Sequence, residues 1–385
     1  MNGRHLLTIL IILLIFSQGI AVTGLSHPFF RSSNQQDRLS TSVRSTDESR
    51  PFFLSFFNRE PFSTLLPTSS DSWSFNPEDL VFSDDAYHGS NETYATEWWY
   101  FDTTLNQEYT LQFGIHIHNI MNTGIATIHC NIYHQGNPII TERLLQPLSR
   151  LTLSKKEPYI AINDEVIMHG QKNDEEQPGT YQISYMGDNY AFDLTYNGIT
   201  DGWKGTTSAG GWAVIFPKAM VQGTLTLQNT TFRSVGIGYH DHNWNVTASS
   251  GLNFGWLWGK TSVSTHTLTW ANIFETWYKG SPLLVINEDN GGYTNIPSSN
   301  LQFSVTDLAF KNGMIIPTGF SLSGKLNEYD LSLQIEVLTS DYITVLGLIN
   351  YWRYHIHITG LFTDGEKTED IDDYNIAEFI RFRPY

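Results

Sequence analysis

The densest chemistry in the chain lies at Gly238-Tyr239-His240-Asp241-His242-Asn243-Trp244-Asn245, where two imidazoles flank one carboxylate among amides and aromatic rings. Histidine suits proton transfer near neutral pH, and a neighbouring carboxylate fixes its tautomer. A second acid stands far upstream in Glu97-Trp98-Trp99-Tyr100-Phe101, and a third aromatic patch lies downstream in Phe254-Gly255-Trp256-Leu257-Trp258-Gly259. A carboxyl group held against indole rings and away from water has a raised pKa and becomes a proton donor. The candidate catalytic residues are therefore Asp241, with His240 or His242 as its proton relay, and Glu97. The candidate ligand contacts are Trp98, Trp99, Tyr100, Tyr239, Asn243, Trp244, Trp256 and Trp258. Each group also has a structural reading. Glu97 would then be a plug bonded to backbone or to an arginine, and the 240–244 run a polar staple between two domains.

These side chains need elements to aim them. Alternate residues of a strand point to opposite faces. A strand would put Glu97 and Trp99 on one face, with Trp98 and Tyr100 on the other. It would put His240, His242 and Trp244 together, opposite Asp241 and Asn243, whereas a tight connection could turn all five toward one cleft. His-x-His recurs at His116/His118, His240/His242 and His355/His357, so a shared zinc or copper is an alternative, although nothing in the spacing makes the pairs converge. No cofactor is expected, and no residue is assigned as a metal ligand. Gly-x-Ser-x-Gly elbows and Gly-rich phosphate loops are absent from the sequence.

Aromatic residues make up 14% of the chain, enough for a large core. The formal charge of -17 repels phosphate backbones and argues against nucleic acid as a partner. One cysteine, Cys130, leaves no intramolecular disulfide. Residues 1–24 read as a signal peptide or an uncleaved anchor: Arg4 and His5 precede an apolar run from Leu6 to Phe16. Either reading places the protein in the cell envelope or outside the cell, with membrane association through this segment in the second case. Residues 25–72, rich in Ser, Arg, Asn and Pro, read as a disordered linker. From Trp73 onward, runs rich in Val, Ile, Thr, Tyr and Trp alternate with turn signals such as Gln135-Gly136-Asn137-Pro138. That pattern predicts an all-β protein of antiparallel sheets. The small, polar Thr247-Ala248-Ser249-Ser250-Gly251 segment divides it into two parts, 73–248 and 249–385. Each part could close into a barrel, and barrels of about eight strands can hold one small ligand.

Taken in order, Glu97-Trp98-Trp99-Tyr100, then Asp241-His242-Asn243-Trp244, then Gly255-Trp256-Leu257-Trp258 resemble the AttH-like family over roughly residues 75–385. That family includes carotenoid hydratases (hydroxyneurosporene synthase) and fungal pericyclases of the Diels-Alderase type. The resemblance implies two consecutive lipocalin-like barrels, with Glu97 to Tyr100 opening the first, Asp241 and Trp244 closing it as Asp-x-x-Trp, and Trp256 and Trp258 beginning the second. Ala377-Glu378-Phe379 then falls on the closing strand, without the glycine that often precedes it there. The residues after Asp241 also depart from the Arg and Glu-like neighbours of many members. The resemblance further implies an apolar ligand, isoprenoid or lipid-like, and hydratase or isomerase chemistry. Asp241 would protonate an alkene, and the faces of Trp99, Trp244 and Trp256 would stabilise the cation. A non-catalytic lipid carrier or envelope interaction module is the alternative.

Overall fold

The computed structural model describes residues 75–92, 95–120, 123–173, 177–207, 210–246, 255–276, 279–345 and 349–381. The expected leader, linker and boundary at 248/249 lie outside them. Trp73–Tyr385 form one compact unit.

The first sheet contains β1 (Glu78–Asp79), β2 (Thr96–Leu105), β3 (Tyr109–Ile120), β4 (Thr123–His134), β5 (Asn137–Pro147), β6 (Leu151–Leu153), β7 (Tyr159–Ile162), β8 (Glu165–Lys172), β9 (Pro178–Met186), β10 (Tyr190–Gly198), β11 (Trp203–Thr207), β12 (Gly210–Leu227) and β13 (Thr230–Val246). The second contains β14 (Gly255–Val263), β15 (His266–Thr276), β16 (Lys279–Glu288), β17 (Tyr293–Ile296), β18 (Leu301–Lys311), β19 (Met314–Leu326), β20 (Tyr329–Val345), β21 (Ile349–Thr363) and β22 (Thr368–Arg381). All strand pairs are antiparallel, and the only helical elements among the described residues are single 3-10 turns.

Both sheets roll up by the same rule. The first long strand pairs with the last: β2 with β13 in one, β14 with β22 in the other. Ala377-Glu378-Phe379 thus closes the second sheet, lying opposite Gly259, Trp258 and Leu257. Neither ring closes fully. The first, nearly closed, stays open between β5 and β6, and the second, a half-barrel, between β17 and β18. A shared Pro-x-Ser-x-Leu pattern stands at both openings, Pro147-Leu148-Ser149-Arg150-Leu151 and Pro297-Ser298-Ser299-Asn300-Leu301. In each, proline caps a 3-10 turn at φ near -60°. Proline has no N–H for the ladder, so pairing ends there and the chain turns across the gap.

The expected ligand-holding interiors are instead filled with side chains. Trp99, Phe101, Phe113, Ile115, Tyr196 and Phe216 pack inside the first sheet. Trp270, Phe274, Phe320, Trp352, Tyr354 and Phe379 pack inside the second. Aromatic and β-branched residues on the inward face meet from all sides once a sheet curls, and each buried one is worth about 1.5–3 kcal/mol. A third apolar cluster lies between the sheets. It joins Tyr100, Trp203, Trp212 and Tyr239 of the first to Trp258, Leu283 and Val285 of the second. We call this the seam.

Candidate functional site

The Glu97–Phe101 and His240–Trp244 stretches lie on neighbouring strands. His240 faces Phe101, Asp241 faces Tyr100, His242 faces Trp99 and Asn243 faces Trp98 across the β13–β2 ladder. The strands can approach closely because Gly236 carries no side chain: a Cβ there would sit 2.0 Å from the Thr104 carbonyl oxygen. The ladder has two faces with different chemistry.

The inner face carries a buried chain of alternating carboxylates and imidazoles. His240 Nε2 lies 3.1 Å from Asp85 Oδ2, His242 Nδ1 lies 3.3 Å from Asp85 Oδ1, and His242 Nε2 lies 3.0 Å from Glu97 Oε1. The middle contact is electrostatic; neither of its two atoms is in hydrogen-bonding geometry. His240 Nδ1 is 2.9 Å from the Tyr100 carbonyl oxygen. Burial alone would lower the His242 pKa, but the Asp85 and Glu97 carboxylates outweigh it and push it up to about 9. Burial would likewise raise Asp85, yet His240 and His242 hold it down to about 2. His242 is therefore an imidazolium shared by two carboxylates. Flat rings sandwich the chain: Phe101 stacks on His240 at 3.8 Å and Trp99 on His242 at 4.4 Å. Trp244 stacks on His88 at 4.2 Å.

Glu97 belongs to this inner network. Its two oxygens accept the backbone N–H groups of His88 and Gly89, at 2.7 and 2.9 Å. It clamps the segment that delivers Asp85, which sits at the end of a 3-10 turn, Phe82–Asp85. The Asp85 carbonyl also accepts the Trp99 indole N–H at 3.0 Å. This is the plug reading of Glu97, with His242 in the place of an arginine. A void of about 10 Å3, room for one water, lies beside Glu97 between Tyr87, Thr96 and Asn119.

The outer face belongs to the seam. Asp241 is 6% exposed. Its Oδ2 accepts the Tyr239 hydroxyl at 2.8 Å and the Trp212 indole N–H at 3.2 Å. Its Oδ1 accepts the Asn243 amide at 3.2 Å. Burial raises its pKa, the Tyr239 hydroxyl lowers it and the Glu378 charge raises it again, leaving it at about 8. Desolvation wins because the donors are neutral and the nearest acids repel a second negative charge. Burial thus favours the protonated form of Asp241. Around it, Trp98 stacks on Trp256 at 6.5 Å, and Trp258 meets Tyr239 at 5.0 Å and Tyr100 at 6.0 Å. Lys260 bonds Asp102 at 2.9 Å and Asn375 at 3.2 Å, and its ammonium sits over Tyr239 and Trp258 at 5.4 and 5.7 Å.

This division corrects the relay expected from the sequence. His240 and His242 cannot pass a proton directly to Asp241, because strand alternation sends them through the sheet to the other side. Trp99 and Trp244 go with them and cannot face a cation formed at Asp241. Trp98, Tyr100, Tyr239, Asn243, Trp256 and Trp258 do share the seam with Asp241. The sequence reading missed Asp85, Trp212, Lys260 and Arg353. The adjacent acids in Ser83-Asp84-Asp85 were the one local signal for Asp85. The others carry none, because their importance comes from the docking of one sheet on the other.

The His-x-His pairs lie in separate settings. His116 stacks on Trp98, His118 contacts the Thr96 and Thr127 hydroxyls, and His357 contacts Asp372 at 2.7 Å. Burial pushes His118 down to about 4. No group of three or more His, Cys, Asp or Glu arranged to hold a metal ion occurs among the described residues.

No protein-family model matches the chain. A stretch of 177 residues is 24% identical to the quinolone epoxide rearrangement protein asqO of Emericella nidulans. It covers 43% of this chain and 45% of that protein, so the match spans just under half the length of the relative. Among solved structures, a protein of Nitrosomonas europaea assigned as AttH superposes with a TM-score of 0.56 at 13% identity, over 83% of this chain and 98% of that one. Kievitone hydratase from Nectria haematococca superposes with a TM-score of 0.52 at 13% identity, over 78% and 92%. The fold of this chain is that of the AttH-like, lipocalin-type proteins.

Proposed function

We propose that the chain binds a largely apolar molecule, isoprenoid or lipid-like, in the seam, and that Asp241 donates a proton to it. The observation that carries this reading is the Asp241 carboxyl buried among rings supplied by both sheets, where burial favours its protonated form. Such a group can protonate an alkene carbon or an epoxide oxygen. The electron pair of the alkene, or of the opening C–O bond, leaves a cationic carbon. The faces of Trp98, Tyr100, Trp256 and Trp258 would stabilise that carbon by about 2 kcal/mol when desolvated. Water then adds and gives its proton back to the carboxylate (hydration), or a proton of a neighbouring carbon returns there, directly (isomerisation) or after a neighbouring bond has shifted to the cationic carbon (rearrangement). Oδ1 has a single contact, to the Asn243 amide, whereas Oδ2 has two, so Oδ1 is the oxygen left to hold the proton. A hydration and an epoxide rearrangement are named for two of the similar proteins, and both are reactions that a buried proton donor would serve.

A carrier without catalysis is the second reading. It is favoured by the three donors that converge on Asp241 like a staple. Mass spectrometry of small molecules co-purifying with wild type and Asp241→Asn separates the two. An enzyme gives a bound species in the variant that wild type carries in altered form, heavier by a water or isomeric. The same bound species in both, or continued turnover of an identified substrate by the variant, rejects Asp241 as the proton donor. We also propose export, from the apolar Leu6–Phe16 run. Cell fractionation with N-terminal sequencing tests it, and an intact chain confined to the cytosol would refute it.

A further inference from the structure

Arg353, on β21, is the most deeply buried cation of the seam, at 1% exposure. Its Nη2 donates to Glu378 Oε1, and the Tyr351 hydroxyl donates to the same oxygen at 3.0 Å. The guanidinium carbon lies 5.1 Å from the Tyr100 ring centre and 5.4 Å from that of Tyr351. It thus reaches from the second sheet to the β2 strand that pairs with Asp241. Its Nε and Nη1 are buried without a hydrogen-bond partner, and so is the Tyr100 hydroxyl. Burial holds the Tyr100 phenol protonated, so it too is a donor.

Donors buried without acceptors each cost about 1–3 kcal/mol, and more when charged, so native folds rarely keep them without use. The neighbouring charges leave these donors unmatched. Glu378 Oε1 is shared between Arg353 and Tyr351, and Asp102 Oδ1 is taken by Lys260. Asp241 is already bonded to three other groups. Asp102 Oδ2 is also buried without a partner, so it does not bond these donors either; what they lack is an oxygen acceptor within reach, and an anionic oxygen suits a guanidinium best.

We propose that Arg353 and the Tyr100 hydroxyl anchor an anionic oxygen, a carboxylate or an enolate, on the apolar molecule whose reacting end lies at Asp241. This rests on the reading of the seam given above and narrows its substrate class from any greasy molecule to an apolar acid or enol. The anchor sets the register of the ligand. With its head fixed at Arg353, the position along the hydrocarbon that meets Asp241 is set by chain length.

The test uses the full chain, titrated near neutral pH by tryptophan fluorescence with farnesoic acid and with farnesol, which differ only in the head group. Wild type should bind the acid at least about tenfold more tightly than the alcohol. Arg353→Met, of similar length and without charge, should bring the acid to the level of the alcohol and leave the alcohol within about twofold. Tyr100→Phe should lose a smaller part of the preference. Equal affinity for the two compounds in wild type, or a preference that survives in Arg353→Met, overturns the anchor alone. Binding of neither compound overturns the apolar-ligand reading of the seam together with the anchor. The wild-type comparison needs no variant, so a misfolded Arg353→Met leaves the test intact.

Discussion

A buried neutral acid leaves a signature in stability as well as in catalysis. In the unfolded chain Asp241 ionises near its ordinary value of 3.8, whereas in the folded protein it holds its proton up to about 8. Between these values the folded state binds more protons than the unfolded one, so stability falls as pH rises. The full shift of about 4 units corresponds to about 6 kcal/mol at 1.36 kcal/mol per unit. Relaxation and water entry around the ionised carboxylate bring its cost to about 3 kcal/mol. Asp241→Asn keeps the shape and removes the ionisation. Melting curves of both proteins from pH 4 to pH 9 should therefore diverge. At the acid end the two should be close, or the variant slightly the weaker. At the alkaline end the variant should be ahead by about 6 °C, at about 2 °C per kcal/mol for a chain of this size. A difference that stays flat with pH, or that grows in favour of wild type above pH 8, would mean that Asp241 ionises in the folded protein. The proposed proton donor would then be lost with it.

The inner network has a different pH signature. His242→Asn leaves the Asp85 and Glu97 carboxylates buried without their shared cation and should cost about 3–5 kcal/mol in urea denaturation. The contribution of His242 is complete below its unfolded value of 6.5 and fades as pH rises through about 9, and that of Asp85 is complete above 3.8 and fades as pH falls toward about 2. The wild-type advantage should thus peak between about pH 4 and 6.5, and a cost below about 1 kcal/mol throughout that window would refute the shared imidazolium. A separate test addresses what holds the sheets together. Asn287 accepts the Trp203 indole N–H at 3.2 Å and donates to the Asp201 carbonyl at 2.7 Å. Asn287→Ala removes the acceptor of the buried Trp203 indole N–H and should lower the unfolding free energy by about 1–3 kcal/mol. A loss under about 1 kcal/mol would show that water replaces the amide.

Strand periodicity and turn chemistry are local, so the all-β character could be read from the chain. The alternation within Glu97-Trp98-Trp99-Tyr100 and within His240-Asp241-His242-Asn243-Trp244 already sorted these residues onto two faces. It could not say which face was interior and which was seam, because the sense of a sheet's curl is a property of all its strands at once. That choice separated Asp241 from His240 and His242 and gave each its own surroundings. Nor could spacing reveal that Asp85 reaches 155 residues along the chain to His240, or that Arg353 comes to rest over Tyr100. The residue types set which protons could move. How far burial and neighbouring charge shift each one was decided by the docking of the two sheets, since desolvation depends on everything that excludes water from a site.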